Sequence, residues 1–151
     1  MFSIGFTDEP LEYPYDDTGV PAAPGRLVLE KSMEEFLANL HLWGKSDYES
    51  HWTRELKTLL DGNPKVALVV SYNDPHPDSN MEIWRAYRDG ELVHFQNQIL
   101  WYSTLPQLFE VQKISQYIQD RAVVTPEGNR ISEWDVPIQE IELFLKQSGK
   151  I

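Results

Sequence analysis

Asp74, His76 and Asp78 set three oxygen and nitrogen donors two residues apart, in a stretch broken by Pro75 and Pro77. Donors of these types could converge on a divalent cation. Alternation along an extended loop turns successive side chains apart, however, and Asp-Pro and His-Pro steps are ordinary turn chemistry, so a solvated loop is the simpler reading. His94, set across a hairpin from Arg85, offers a phosphate-binding pair; with Tyr87 and Gln96 nearby, a hydrogen-bonded surface patch explains the same residues. His51 lies one position before Trp52 in a predicted helix, and His41 follows another, where a cationic imidazole suits a helix C-terminus. No glycine-rich phosphate loop, nucleophile elbow, zinc-protease helix or dinucleotide fingerprint occurs. The sequence therefore assigns no catalytic group, no metal ligand and no cofactor. The competing reading is a small metal-dependent hydrolase or nucleic-acid-processing enzyme using the Asp74–Asp78 loop or the Arg85 and His94 face.

The elements that would carry these residues can be read from periodicity. Phe2, Ile4 and Phe6 alternate with small or polar residues, and Leu27 and Leu29 do the same, which predicts two short strands around an acidic, proline-punctuated loop. Ser32 and Glu35 have the spacing of a capping box before Met33, Phe36, Leu37 and Leu40, which predicts a helix over about 33–41. A second such box, Ser46 with Glu49, opens a stronger helix carrying Tyr48, Trp52, Leu56, Leu59 and Leu60, stopped by Gly62 and Pro64. The continuous apolar run Val66 to Val70 suits a central strand covered on both faces. Residues 81–88 and 91–100 flank Asp89-Gly90 as a long hairpin, pairing Trp84 with Phe95, Ala86 with Val93 and Arg85 with His94. A broken helical pattern follows over residues 104–120. A shorter hairpin around residues 126–129 comes next, and then a terminal helix capped by Asp135 with Pro137 in its first turn. The sum is one α+β domain over residues 1–151, a mainly antiparallel sheet with two hairpins packed against three to four helices.

Charge narrows the function. The chain has 151 residues with 24 acidic against 13 basic side chains, a formal charge of −11. Such a field repels phosphate backbones and attracts basic surfaces, which disfavours nucleic acid as a partner. There is no cysteine, and neither a signal-like apolar segment nor a membrane-length apolar run, so the expectation is a cytoplasmic protein away from the membrane. The acidity is concentrated early: Asp8, Glu9, Glu12, Asp16 and Asp17 precede the first basic residue, Arg26.

Across the chain, Met1-Phe2-Ser3-Ile4, Ser46-Asp47-Tyr48 through Trp52, Val66-Ala67-Leu68-Val69-Val70-Ser71, Trp84 through Val93 to Gln96-Asn97-Gln98, and Ile131-Ser132-Glu133-Trp134 follow one another in order. This set resembles the immunity proteins of contact-dependent growth inhibition systems, the CdiI family. The resemblance implies a small cytoplasmic bacterial protein without chemistry of its own. It would bind the CdiA C-terminal toxin domain, often a nuclease, one-to-one and block it. It supplies no contact residues. Charge complementarity to a basic nuclease cleft points instead to Asp8, Glu9, Glu12, Tyr13, Tyr15, Asp16 and Asp17 as candidate toxin-binding residues, with Asp74 and Asp78 second.

Overall fold

Strand alternation, not helical periodicity, governs residues 32–39. The computed structural model describes residues 1–15 and 18–151, Tyr15 through its main chain only, and places Ser32–Asn39 in a strand. The expected helix over 33–41 is therefore wrong. Glu30 and Lys31 instead turn the chain back on the preceding strand, with Glu30 at φ 55°, and inward Phe36 and Ala38 alternate with outward Glu35 and Leu37. The Ser32–Glu35 box is a local preference that cross-strand pairing overrides.

The strands are β1 (Phe2–Phe6), β2 (Glu12–Tyr15), β3 (Val20–Leu29) and β4 (Ser32–Asn39), followed by helix α1 (Lys45–Leu60). Then come β5 (Lys65–Tyr72), β6 (Asn80–Asp89), β7 (Leu92–Trp101), β8 (Trp134–Pro137) and helix α2 (Ile138–Gln147). All pairings are antiparallel. In the first sheet β3 pairs β4 along one side, and on the other it pairs β2 over its first part and β1 over its second. The second sheet runs β5-β6-β7-β8. The α+β class with antiparallel sheets is as the pattern predicts. Of the helices expected, two are α-helices, and residues 104–120 hold only 3-10 structure at Val111–Gln116 after a 3-10 turn at Tyr102–Thr104.

Three expected details also change. The two-residue loop of the long hairpin is Gly90-Glu91, with Gly90 at φ 63°, so Arg85 faces Gln96 and His94 faces Tyr87. The side-chain faces survive because the register moves by two residues. The second hairpin reduces to a single bridge, Val124 to Arg130, while Trp134 to Pro137 pair with β7 as β8. Asp135 and Pro137 therefore belong to a strand and its end, and no side chain caps α2. Finally, α1 is capped two residues before the predicted box, by the Asp47 carboxylate accepting the Gly44 N–H at 2.9 Å.

Strand β5 lies at the edge of its sheet, not at its centre. Side chains nevertheless take the N–H groups it turns outward. The N–H groups of Ala67, Val69 and Tyr72 donate to Ser115 Oγ, His51 Nε2 and Tyr48 Oη at 2.8, 2.8 and 2.9 Å, and Trp52 Nε1 donates to the Val69 carbonyl at 2.8 Å. Three of these four partners project from α1, whose apolar positions Tyr48, Trp52, Leu56 and Leu59 are buried. Arg88 Nη1 in turn donates to the Leu59 and Leu60 carbonyls at the end of α1, satisfying groups a helix terminus leaves open. One buried cluster joins both sheets and both α-helices, with Phe2 stacked on Phe95 and edge-on to Phe144.

Two predictions follow from this packing. A Cβ built on Gly25 falls 2.2 Å from the Phe36 ring, and that ring is held by Phe6 and Trp52. Gly25→Ala is expected to cost about 1–3 kcal/mol in denaturant unfolding, the usual cost of overpacking. His51 accepts the Val69 N–H and must therefore be unprotonated at Nε2. Burial, aided by Arg54, lowers its pKa from 6.5 to about 3. Between those values the unfolded chain binds a proton that the folded chain refuses, so stability is complete above pH 6.5 and falls as pH drops toward 3. The slope from this group is about 1.4 kcal/mol per pH unit. Unfolding measured across that window should lose this slope in His51→Gln, which keeps an acceptor; equal slopes would assign the pH dependence elsewhere.

Candidate functional site

The two sheets meet where the end of β4 reaches the end of β5. The Asn39 N–H donates to Ser71 Oγ at 3.2 Å, and Asn39 Nδ2 to Asn73 Oδ1 at 3.1 Å. A bulge between Val69 and Ser71 sets Ser71 opposite Glu82, a re-aiming that bulges commonly perform. A cavity of about 490 Å³ opens beside this junction, walled by Glu9 from the segment after β1, by Glu12, Glu35 and Leu37 from the first sheet, and by Ser71, Glu82 and Ile99 from the second. At one end it adjoins, through Asn73 and Asn80, a hollow holding His41, Asp74, His76 and Asp78. At the other it continues past Glu34, Trp84 and Asn97 to Ile131, Ser132 and Trp134. The result is one elongated groove lined with carboxylates, amides and a few apolar side chains.

Of the residues the sequence singled out, Glu9, Glu12, Asp74 and Asp78 come together along this groove although they are far apart in the chain. Asp8 and Tyr13 are exposed but do not line it. Tyr15 contributes main-chain pairing with Val20, and Asp16 and Asp17 lie outside the described residues. Glu34, Glu35 and Glu82 were missed, the first two because residues 32–39 read as a helix. The alternation from Ser32 to Asn39 was the signal that could have found them.

The groove's electrostatics are one-sided. Arg26 is the cation near its centre, 3.8 Å from Glu9 and 3.7 Å from Glu35. His41 does not end a helix; its Nδ1 sits 2.8 Å from Asp74 Oδ1. The Asp74–His76–Asp78 run does not focus into a metal site. Among the described residues only His94, Glu133 and Asp135 bring ligand atoms within 4.8 Å of one another.

The carboxylates and the Nδ1 of that cluster are bound by the protein's own groups, while buried His94 Nε2 has no hydrogen-bond partner among the described residues. His94 Nδ1 is 2.6 Å from Asp135 Oδ1, and Arg121 grips both Glu133 oxygens at 2.6 and 2.9 Å. Gln96 Nε2 adds a bond to Glu133 at 2.7 Å, and Arg85 donates to Gln96 Oε1 at 2.7 Å. The hydrogen-bonded reading of Arg85, Gln96 and His94 therefore prevails over the phosphate-binding alternative, since carboxylates surround a buried His94 and repel an anion. The Arg121 hydrogen bond holds the Glu133 carboxyl below its usual range. Together these contacts lock β8 and the segment before it onto β7.

The comparisons with known proteins bear on what such a groove is for. Residues 38–144 match the model of the CdiI N-terminal domain. The chain belongs to that family. The CdiI match extends further in a curated relative, the immunity protein CdiI of Enterobacter cloacae subsp. cloacae, 26% identical over 141 residues, covering 93% of this chain and 94% of the relative. A chain of the solved CdiA-CT/CdiI toxin and immunity complex from Enterobacter cloacae superposes with a TM-score of 0.86 at 25% identity, covering 100% of both chains.

The CdiI fold here makes the Arg121–Glu133 pair directly testable. In Arg121→Ala the Glu133 carboxyl should titrate at higher pH than in the parent protein, followed by its side-chain carbon shift in NMR. An unchanged titration would mean that Gln96 sets the carboxyl instead.

Proposed function

We propose that this chain is a cytoplasmic immunity protein that binds the C-terminal toxin domain of its cognate CdiA and neutralises it by forming a one-to-one complex. The observation that carries this reading is the end-to-end likeness to a chain of a toxin and immunity complex. The acidic groove supports it from the physical side. A chain of charge −11 with carboxylates gathered in a concave seam complements a basic surface. A nuclease must carry such a surface to hold phosphates, so the toxin is read as a nuclease. The contact candidates are Glu9, Glu12, Asp74 and Asp78 in the groove, now joined by Glu34, Glu35 and Glu82. Asp8, Tyr13, Tyr15, Asp16 and Asp17 stay candidates on charge and composition alone. No described helix is long and apolar enough to cross a membrane.

Inhibition by occupancy has a stoichiometric signature. Titrating the toxin domain with this protein should extinguish cleavage of RNA or DNA at one equivalent, whereas loss of toxin activity at a small fraction of an equivalent would indicate that the chain works as an enzyme. In the same assay, reversing Glu35 and Glu82 together to Lys should slow association about tenfold or more at low ionic strength, with the deficit shrinking as salt rises. Unchanged association would move the contact away from the groove.

A further inference from the structure

Strand β7 outruns its outer neighbour. β8 pairs only with Leu92 through Phe95, while β7 continues to Trp101. Two bonds fix which main-chain groups face the open side. The Ile138 N–H donates to the Glu91 carbonyl, so odd-numbered residues of β7 point toward β8; the Tyr102 N–H donates to the Ser79 carbonyl, so even-numbered ones point toward β6. Beyond Phe95, the N–H and C=O of Asn97 and Ile99 therefore face outward. Among the described residues no group of the chain meets them there. The Trp101 carbonyl closes the stretch, taken by Thr104 Oγ1 at 2.7 Å.

An open edge of this kind is a template for another strand, and proteins usually blunt it with charge, proline or a bulge. Other edges here show such devices. β2 contains Pro14, β4 carries Glu34 and Glu35, β8 has Asp135 and Pro137, and side chains take the outward N–H groups of β5. Residues 97–101, Asn-Gln-Ile-Leu-Trp, carry neither charge nor proline, and Ile99 and Trp101 remain 46% and 48% exposed. The side chains of Asn97 and Ile99 lie on the same face as their partners Trp84 and Glu82, which is the face of the acidic groove.

We propose that the edge of β7 from Asn97 to Trp101 receives an extended, Lys- or Arg-bearing segment of the partner polypeptide as an added strand. Alternate side chains of that segment would then reach the groove carboxylates. The identity of the partner as a toxin domain rests on the function proposed above; the edge and the basic character of its occupant come from this chain. A second copy of the chain is the weaker occupant, since pairing β7 with itself would bring two acidic grooves and two charges of −11 together. Main-chain bonds along the strand would supply affinity, and the carboxylates would select a basic sequence.

Proline at position 99 removes an N–H that no strand of this chain uses, the one setting in which an edge strand tolerates proline. Ile99→Ala controls for the lost side chain. With toxin domain titrated calorimetrically into each variant, Ile99→Pro should bind about tenfold or more weakly than Ile99→Ala, because the partner carbonyl loses its donor in a buried interface. Equal affinities would overturn the proposal. If Ile99→Pro fails to fold, amide exchange on the unmodified protein decides the question. The Asn97 and Ile99 amides should exchange fast in the free chain and slow on complex formation, and no added protection overturns the proposal. A free chain of dimeric mass that Ile99→Pro converts to a monomer would make a second copy the occupant and also overturn it. If the unmodified chain neither binds nor neutralises the toxin domain, both readings fall; if it does and Ile99→Pro behaves as Ile99→Ala, only the edge fails.

Discussion

The free edge of β5 is where the fold could most easily have failed. A buried run of Val66 to Val70 at the end of a sheet leaves outward N–H groups with neither water nor a strand to accept them, and an unmet buried donor costs on the order of 1–3 kcal/mol. The chain meets this demand with side chains. His51, Trp52 and Tyr48 from α1 and Ser115 from the 3-10 segment take those groups, and the acceptors are themselves tied in. Ser115 donates to the buried Glu55 carboxylate, and Tyr48 donates to the Asn39 carbonyl. One helix thus stands in for a missing strand, and its position along β5 is fixed by hydrogen bonds as well as by packing.

That constraint reaches the groove. Tyr48 links the Tyr72 N–H to the Asn39 carbonyl, so the helix that seals β5 also holds the end of β4 against the end of β5. The bulge before Ser71 is part of the same arrangement: outward donors fall at Ala67 and Val69 and then, with the phase shifted by one, at Tyr72. The shift presents Ser71 to Asn39 and to the groove. The carboxylates of β4 and β6 are therefore held on a rigid frame, while Glu9 and Asp74 approach from the segments after β1 and β5. A preformed acidic surface of this sort pays less ordering entropy on binding than a loop that folds onto its partner.

The sequence revealed what depends on composition and strong periodicity. Helix α1, strand β1, the long hairpin and the acidic character of the chain were legible from composition or from a regular pattern of five or more residues, whereas β3 was seen only at Leu27–Leu29, its first part and β2 having read as loop. The failures share a cause. Ser32 with Glu35 is a genuine capping signal, and Val66 to Val70 is a genuine buried-strand signal. Yet what decides between helix and strand in the first, and between centre and edge in the second, is a partner elsewhere in the chain. Glu34 and Glu35 were lost from the site with that misread helix. Glu9, Glu12, Asp74 and Asp78 could be chosen by charge, but their convergence depends on the junction of two sheets, which no local pattern records.

The groove and the His94 cluster show how one acidic chain separates two uses of carboxylate. Glu133 is 16% exposed at its side chain and bound by Arg121 and Gln96; its charge is spent internally, holding β8 to β7. Glu35 is 65% exposed, with Arg26 3.7 Å away, so its charge is screened by water and available to an incoming cation. In a high-dielectric seam a single such contact is weak, about 1 kcal/mol or less. Several carboxylates along one groove still act together at long range, where they guide approach more than they hold a complex. Durable association must then come from groups that are desolvated on contact, and Leu37, Ile99 and Trp101 are the partly exposed apolar side chains set beside those charges. In the proposed binding mode, affinity and specificity would accordingly be carried by different atoms of one surface, the carboxylates recruiting a basic partner and the edge of β7 retaining it.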